Sequence, residues 1–160
     1  MRKLALSFVA VLAVGCADQQ APLTSPSQPT EGSVAFVQLS DARPAAGATV
    51  VVTVHVRGAA GVANVGAFTA KLQFDPAGLE FTGERPLGGG MRMLKPTSGE
   101  VRAAGASADG FTDGALFAVV FKVNDPAALQ TLQLDVSELT GVDFGAQASR
   151  LSIDRRLFAR

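Results

Sequence analysis

Apolar and polar residues alternate with a period of two along most of the chain after residue 33. Residues 50–56 place valine at every second position, with Thr53 and His55 between them. Residues 68–74 alternate in the same way, and residues 116–123 are apolar at nearly every position. Strict alternation predicts half-buried β-strands, and a continuous apolar run of this length predicts a central strand. These three segments predict the framework of a β-sheet protein.

Shorter alternating runs and turn signals complete this pattern. The runs cover residues 34–39, 79–81, 132–136 and 151–153, and clusters rich in Gly, Pro and Asp separate them. Short strands about ten residues apart predict an antiparallel β-sandwich. No segment has the pattern of a long helix, and residues 126–130 are predicted as a single helical turn. We expect one all-β domain over residues 33–160.

The first 16 residues have the pattern of an export signal. Arg2 and Lys3 precede an apolar run over residues 4–14, which is shorter than the roughly 20 residues that a membrane-spanning helix needs. Residues 12–16 (Leu-Ala-Val-Gly-Cys) resemble the lipobox of bacterial lipoproteins. The resemblance implies that residues 1–15 are a signal peptide and that Cys16 becomes the lipidated first residue. An ordinary secretory signal with an incidental cysteine is the alternative.

Residues 16–32 follow the export signal as a proline-, serine- and glutamine-rich segment. This composition cannot bury a core and predicts a disordered tether between the lipidated Cys16 and the domain. We therefore expect a lipid-anchored protein of the cell envelope, in the outer membrane if the cell has one. The pattern leaves open which side of the membrane the domain faces.

Charge and composition limit the function classes. The 14 basic residues, less Arg2 and Lys3 of the signal, leave 12 against 14 acidic residues. This balance argues against nucleic acid as a partner, because binding phosphates needs a concentrated basic surface. Cys16 is the only cysteine, and its lipidation would leave no thiol for a disulfide or a nucleophile. Tyr and Trp are absent, whereas Phe occurs ten times, which favours core filling.

Two blocks of the chain resemble cohesin domains. Residues 66–81 read Gly-Ala-Phe-Thr-Ala-Lys-Leu-Gln-Phe-Asp-Pro-Ala-Gly-Leu-Glu-Phe, which is similar to the family's Gly-x-Phe strand, aromatic-Asp-Pro turn and following strand. Residues 99–123 resemble the family's later strands. The resemblance implies a jelly-roll sandwich of about nine strands with a non-catalytic adhesive role, holding dockerin modules of polysaccharide-degrading enzymes through one sheet face.

The strand order implied by the resemblance gives a candidate binding face. Thr69, Lys71 and Gln73 alternate outward on one predicted strand, Arg102 is expected on the same face, and Arg92 is a further candidate. These residues predict a modestly basic patch that suits an acidic partner. A solvated sheet face without a ligand is the alternative.

Catalytic and metal-binding patterns are weak. His55 lies on the polar side of its predicted strand with no nucleophile motif nearby. Residues 109–114 superficially resemble a calcium loop but lack the terminal glutamate, so Asp-Gly turns explain them better. The carboxylates Asp75, Glu80, Glu84 and Glu100 offer a remote glycosidase pair. Phe111 and Phe144 are loop aromatics that either stack on a sugar or cap the core.

These observations predict a non-enzymatic binding module of the cell envelope. The predicted partner is a protein module, and the family resemblance suggests a dockerin-like one. No cofactor or metal is expected. A carbohydrate-binding module of the same sandwich type is the first alternative, and a glycoside hydrolase is the remote one.

Overall fold

The computed structural model describes residues 33–57, 64–142 and 151–159 of the chain. Cys16, Phe144 and the segments 1–15 and 16–32 therefore lie outside the described residues. The described strands are β1 (Ser33–Leu39), β2 (Thr49–Arg57), β3 (Val65–Gln73), β4 (Leu79–Glu84), β5 (Met91–Thr97), β6 (Glu100–Ala106), β7 (Ala115–Val123), β8 (Gln133–Gly141) and β9 (Leu151–Ala159). Two short 3₁₀ turns cover Thr112–Gly114 and Pro126–Thr131, and the second confirms the helical turn predicted for residues 126–130.

The strands form two sheets. One has five strands in the order β4-β7-β2-β1-β9, and the other has four in the order β5-β6-β3-β8. All neighbouring strands are antiparallel except β1 and β9, which run parallel. The prediction of an all-β sandwich of about nine strands is confirmed, with this one parallel pair as a departure from a purely antiparallel arrangement.

The alternation in the sequence decides which side chains enter the core. On β2 the even-numbered valines are buried, and the odd-numbered residues from Val51 to His55 are only partly covered. Strand β7 lies between β2 and β4, as expected of a central strand, and six of its nine residues are less than 2% exposed. Since successive side chains on a strand point to opposite faces, one face of each sheet is left for other contacts.

Phenylalanine rings join the two sheets. Phe68 on β3 stacks on Phe117 of β7 with 6.1 Å between ring centroids, and Phe74, just after β3, lies 4.8 Å from Phe121. Phe111 meets the edge of Phe68 at 5.2 Å and is 5% exposed. Of the two roles predicted for Phe111, capping the core is therefore the one that the structure shows.

The Asp-Pro turn predicted after β3 forms as expected. The Asp75 carboxylate accepts a hydrogen bond of 3.0 Å from the backbone N–H of Ala77, and the Asp75 carbonyl accepts one of 2.9 Å from Leu79. The turn returns the chain to the core, because Leu79 is fully buried and Phe81 packs against the same cluster.

Truncation of Phe74 tests this packing. We expect Phe74→Ala to lower the free energy of unfolding by about 3–5 kcal/mol, as for other buried phenylalanines, since it removes a ring that contacts the opposite sheet. Urea denaturation measures the loss. The neighbouring exposed Gln73→Ala is the matched control and should change stability by no more than about 0.5 kcal/mol. Equal stability of both variants would contradict the assignment of Phe74 to the core.

Candidate binding face

The outer face of the four-stranded sheet brings most of the predicted binding residues together. Lys71 on β3 lies directly opposite Arg102 on β6 and Asp135 on β8. Thr69 lies opposite Glu138 and donates a hydrogen bond of 2.8 Å from its hydroxyl to the Glu138 carboxylate. Gln73 is exposed at the end of the same strand. Thr69, Lys71, Gln73 and Arg102 therefore share one surface, called here the outer β3 face.

The charge on the outer β3 face differs from the prediction. Lys71 Nζ lies 3.7 Å from the Asp135 carboxylate, and Arg102 Nε lies 2.5 Å from that of Glu100. Cross-strand register places three basic residues (Lys71, Lys95, Arg102) and three acidic ones (Glu100, Asp135, Glu138) on this face. The prediction of a basic patch is therefore wrong, because carboxylates on β6 and β8 balance the cations.

The balanced charges are nevertheless separated across the face. Lys95 lies on β5, the Arg102–Glu100 pair on β6 has no net charge, and Asp135 and Glu138 lie on β8 at the opposite edge. Among the described residues, Lys95 has no ion-pair partner within 4.0 Å. The face is thus dipolar, with its positive side at β5 and its negative side at β8.

Arg92 does not lie on this face. The alternation of β5 turns Met91, Met93 and Lys95 outward and Arg92 toward the other sheet, where its guanidinium carbon lies 4.6 Å from the centre of the Phe111 ring. The guanidinium donates hydrogen bonds to five backbone carbonyls, those of Leu87, Gly88, Gly89, Ala115 and Leu116. The prediction that Arg92 joins the other binding residues is therefore wrong, because its donors are used inside the sandwich.

The environment of Arg92 explains its role. Partial burial lowers the pKa of the Arg92 guanidinium from its ordinary value, while the surrounding carbonyl oxygens favour the charged form. The five bonds tie the connection between β4 and β5 to the start of β7. A planar fork with five donors is the side chain that can satisfy so many acceptors at once.

Two methionines that the sequence analysis did not single out dominate the β5 side of the outer β3 face. Met91 and Met93 are 78% and 76% exposed. They lie opposite the small residues Ala106 and Ala104 on β6, which are also exposed. Large exposed apolar side chains next to one another typically mark an interaction site, and methionine adapts well to a partner's shape. The Met-x-Met spacing within a strand was the signal available in the sequence.

His55 makes a stacking contact with a phenylalanine on the neighbouring strand. Its ring stacks on Phe36 with 5.3 Å between centroids and 12° between planes, on the outer face of the five-stranded sheet. The guanidinium of Arg57 lies 5.1 Å from the centre of the other ring, that of Phe36.

The candidate carboxylates are dispersed. Asp75 caps a turn, Glu80 lies 4.0 Å from Lys122 on one sheet, and Glu100 pairs with Arg102 on the other. Glu84 is exposed at the end of β4. Within residues 33–57, 64–142 and 151–159, no three His, Cys, Asp or Glu side chains gather as metal ligands. Of residues 109–114, the last three form the first 3₁₀ segment, Thr112–Gly114.

Fold and face together define a jelly-roll β-sandwich module with one mixed apolar and charged sheet face. The family model of the cohesin domain matches residues 35–149. The chain therefore belongs to the cohesin family, as the motif resemblance had predicted.

Solved structures agree with this assignment at the level of fold. The fold is similar to that of a chain in a type II cohesin–X–dockerin complex from Acetivibrio cellulolyticus, with 12% identity and a TM-score of 0.57 over 77% of this chain and 95% of that chain. It is also similar to a non-cellulosomal cohesin from Archaeoglobus fulgidus, with 19% identity and a TM-score of 0.53 over 78% of this chain and 85% of that one. The sixth cohesin of A. cellulolyticus scaffoldin B, solved in complex with a dockerin, shares 14% identity and a TM-score of 0.55 over 79% of this chain and 99% of its own. Curated proteins give no match. In the described part of the chain, no helix is long and apolar enough to cross a membrane.

The two arginines on adjacent strands provide a matched test of inside against outside. We expect Arg92→Lys to lower the free energy of unfolding by about 1–3 kcal/mol, because an ammonium has too few donors for five carbonyls and leaves some unsatisfied. Arg102→Lys keeps an exposed ion pair within reach of Glu100 and should cost at most about 1 kcal/mol. Urea denaturation of both variants measures the difference. A greater loss of stability for Arg102→Lys than for Arg92→Lys would contradict the structural role assigned to the hydrogen bonds of Arg92.

Proposed function

We propose that this protein is a non-catalytic binding module that holds a protein partner of the dockerin type on its outer β3 face. The observation that carries the proposal is the exposed pair Met91 and Met93 beside a row of charged residues. Cohesins with this fold occur in complexes with dockerins, which supports the choice of partner class.

The composition of the face favours a protein over a saccharide as its ligand. Lys71 and Thr69 already contact carboxylates on β8, and Arg102 contacts Glu100 on its own strand, so few of their polar atoms are available for sugar hydroxyls. The methionines instead offer apolar area that a folded partner can bury. Interface centres are typically apolar and their rims polar, and the charged row beside the methionines fits such a rim.

The separation of charge adds an orientation to the proposed complex. An acidic side of the partner would lie over Lys95, and a basic side over Asp135 and Glu138. Complementary charge of this kind guides encounter and sets orientation more than it sets affinity. The apolar contact with the methionines would supply most of the binding energy.

A charge placed between the methionines tests the proposed interface. We expect Met93→Asp to weaken binding of the partner about tenfold or more, since it desolvates a carboxylate at the interface centre. Thr49→Asp is the matched control, because Thr49 is exposed on the other sheet.

The measurement first uses the full chain, immobilised in detergent, to capture partners from envelope and secreted extracts of its own organism. The captured module, identified by mass spectrometry and purified, is then titrated against both variants by calorimetry. A recurrent dockerin-like module whose binding Met93→Asp weakens would support the proposal. Equal binding by both variants would place the partner elsewhere and overturn the assigned face.

The second part of the proposal is attachment to the cell envelope through lipid on Cys16. The support is the sequence: a basic start, an apolar run and small residues before the cysteine. Several acyl chains on one residue give stable anchoring, whereas one chain gives only marginal binding. The proline-rich residues 17–32 would hold the domain away from the membrane surface and let the outer β3 face meet a partner.

Replacement of the cysteine tests the anchor. We expect Cys16→Ser to move the protein from the detergent phase to the aqueous phase in Triton X-114 partitioning, or to leave it with its signal peptide uncleaved. Labelled palmitate should be incorporated into the wild type and into Ser27→Ala, a control in the same segment, but not into Cys16→Ser. Detergent-phase partitioning of Cys16→Ser identical to that of wild type would contradict lipidation at this residue.

A further inference from the structure

A groove of about 290 Å³ lies on the outer surface of the five-stranded sheet, which is the opposite side of the sandwich from the outer β3 face. Six polar or charged side chains line it: Gln38, Ser40, Thr53, His55, Arg85 and Asp113. They come from four separate segments of the chain. The volume is just below the range of about 300–1,000 Å³ that is typical of small-molecule sites, so the groove suits a small ligand.

The floor of the groove is built by the alternation of β2. Thr53 and His55 turn outward because the valines beside them are buried, and His55 lies opposite Ala115 on β7. Ala115 also lines the groove, and its small side chain leaves space beside the imidazole. The stacking of His55 on Phe36 keeps the imidazole plane in a defined orientation at one end.

Asp113 is placed at the rim by an unusual backbone conformation. Its φ of 52° and ψ of 21° fall in the left-handed region, which is costly for most residues but tolerated by aspartate. The next residue, Gly114, also has a positive φ of 66°, and a Cβ there would collide with the Val56 carbonyl oxygen. A left-handed backbone at a residue other than glycine is strained, and such residues cluster at functional sites.

Arg85 lies on the other wall, where two sets of bonds hold the chain. Its backbone N–H donates to the Ala118 carbonyl at 3.0 Å, and the following carbonyls, from Leu87 to Gly89, are held by Arg92. Within the described parts of the chain, neither the Arg85 guanidinium nor the Asp113 carboxylate has an ion-pair partner within 4.0 Å. Both charged groups are therefore available to a ligand.

The chemistry of the lining defines a ligand class. Arg85 and Asp113 cancel in charge, which disfavours a phosphate, since binding an anion needs an excess of positive charge. The Ser40 hydroxyl accepts a hydrogen bond of 2.9 Å from the Val51 N–H and keeps its own proton to donate. The lining thus offers both donors and acceptors beside apolar side chains such as Leu39 and Leu87. A neutral ligand that both donates and accepts hydrogen bonds would satisfy them.

We propose that this groove binds a saccharide, with vicinal hydroxyls donating to the Asp113 carboxylate and accepting from the Arg85 guanidinium. The module then has two independent binding surfaces on opposite sheets, one for a protein and one for a sugar. The groove uses none of the residues of the outer β3 face, so either surface can be disproved without the other.

Titration of the full chain with defined sugars tests the groove. The ¹⁵N-labelled protein, in a detergent without a sugar headgroup, is titrated with cellotetraose, xylotetraose and mannotetraose while amide NMR shifts are followed. The zwitterionic dipeptide Gly-Gly is the control ligand. We expect at least one sugar to shift the amides of Thr53, Arg85 and Gly88 in a saturable way.

Three substitutions make the assignment specific. Asp113→Asn preserves the shape and tolerance for the left-handed backbone but removes the charge. Asp113→Asn and Arg85→Gln, made separately, should each weaken sugar binding by about tenfold or more, as for loss of a hydrogen bond to a charged group. Asp109→Asn, in an exposed neighbouring turn, should bind as wild type does. Thermal melts show whether each variant is folded. If Asp113→Asn does not fold, Arg85→Gln alone provides the test.

The outcomes are distinct. Saturable shifts in the groove that both variants weaken would support the proposal. Binding of Gly-Gly in place of every sugar would show that the groove is a peptide or zwitterion site and overturn it. Sugar shifts confined to the outer β3 face, or no shifts with any of the three sugars, would also overturn it.

Discussion

The contact of phenylalanine rings between the two sheets is the interaction on which the rest of the structure depends. Phe68 and Phe74 come from one sheet, and Phe117 and Phe121 from the other. The chain has no tyrosine or tryptophan, so these phenylalanine rings supply the large apolar area that is buried between the two sheets. Close packing of these rings fixes the register of the strands that carry them. The register in turn decides which side chains lie on the two outer faces.

The parts of the fold that depend on local patterns were predictable. The valine alternation of residues 50–56 predicts a strand because burial of every second residue is visible in the local sequence. The Asp75 turn is equally local, because its carboxylate accepts a hydrogen bond from a nearby backbone N–H. The placement of Thr69, Lys71 and Gln73 on one face follows from the same alternation. The jelly-roll order required the family resemblance, because strand pairing across the chain is not visible in local periodicity.

Two features of the candidate site could not be read from the sequence. The charge of the outer β3 face depends on which residue lies opposite Lys71, and Asp135 is 64 positions away along the chain. The direction of the Arg92 side chain depends on where β5 begins after three consecutive glycines. Glycines have no side chains, so the sequence before β5 does not show which of its residues face inward. A shift of one residue would have turned Arg92 outward and the methionines inward.

The position of β1 has a mechanical consequence. The described domain begins at Ser33, the first residue of this strand, and β1 is paired with β2 on one side and with β9 on the other. Tension applied through the preceding chain therefore acts on an internal strand, and it must rupture two hydrogen-bonded ladders before the sandwich opens. An edge strand at this position would peel away one pair at a time. The arrangement suits the proposed protein, in which attachment through Cys16 and a partner on the outer β3 face would pull from different places.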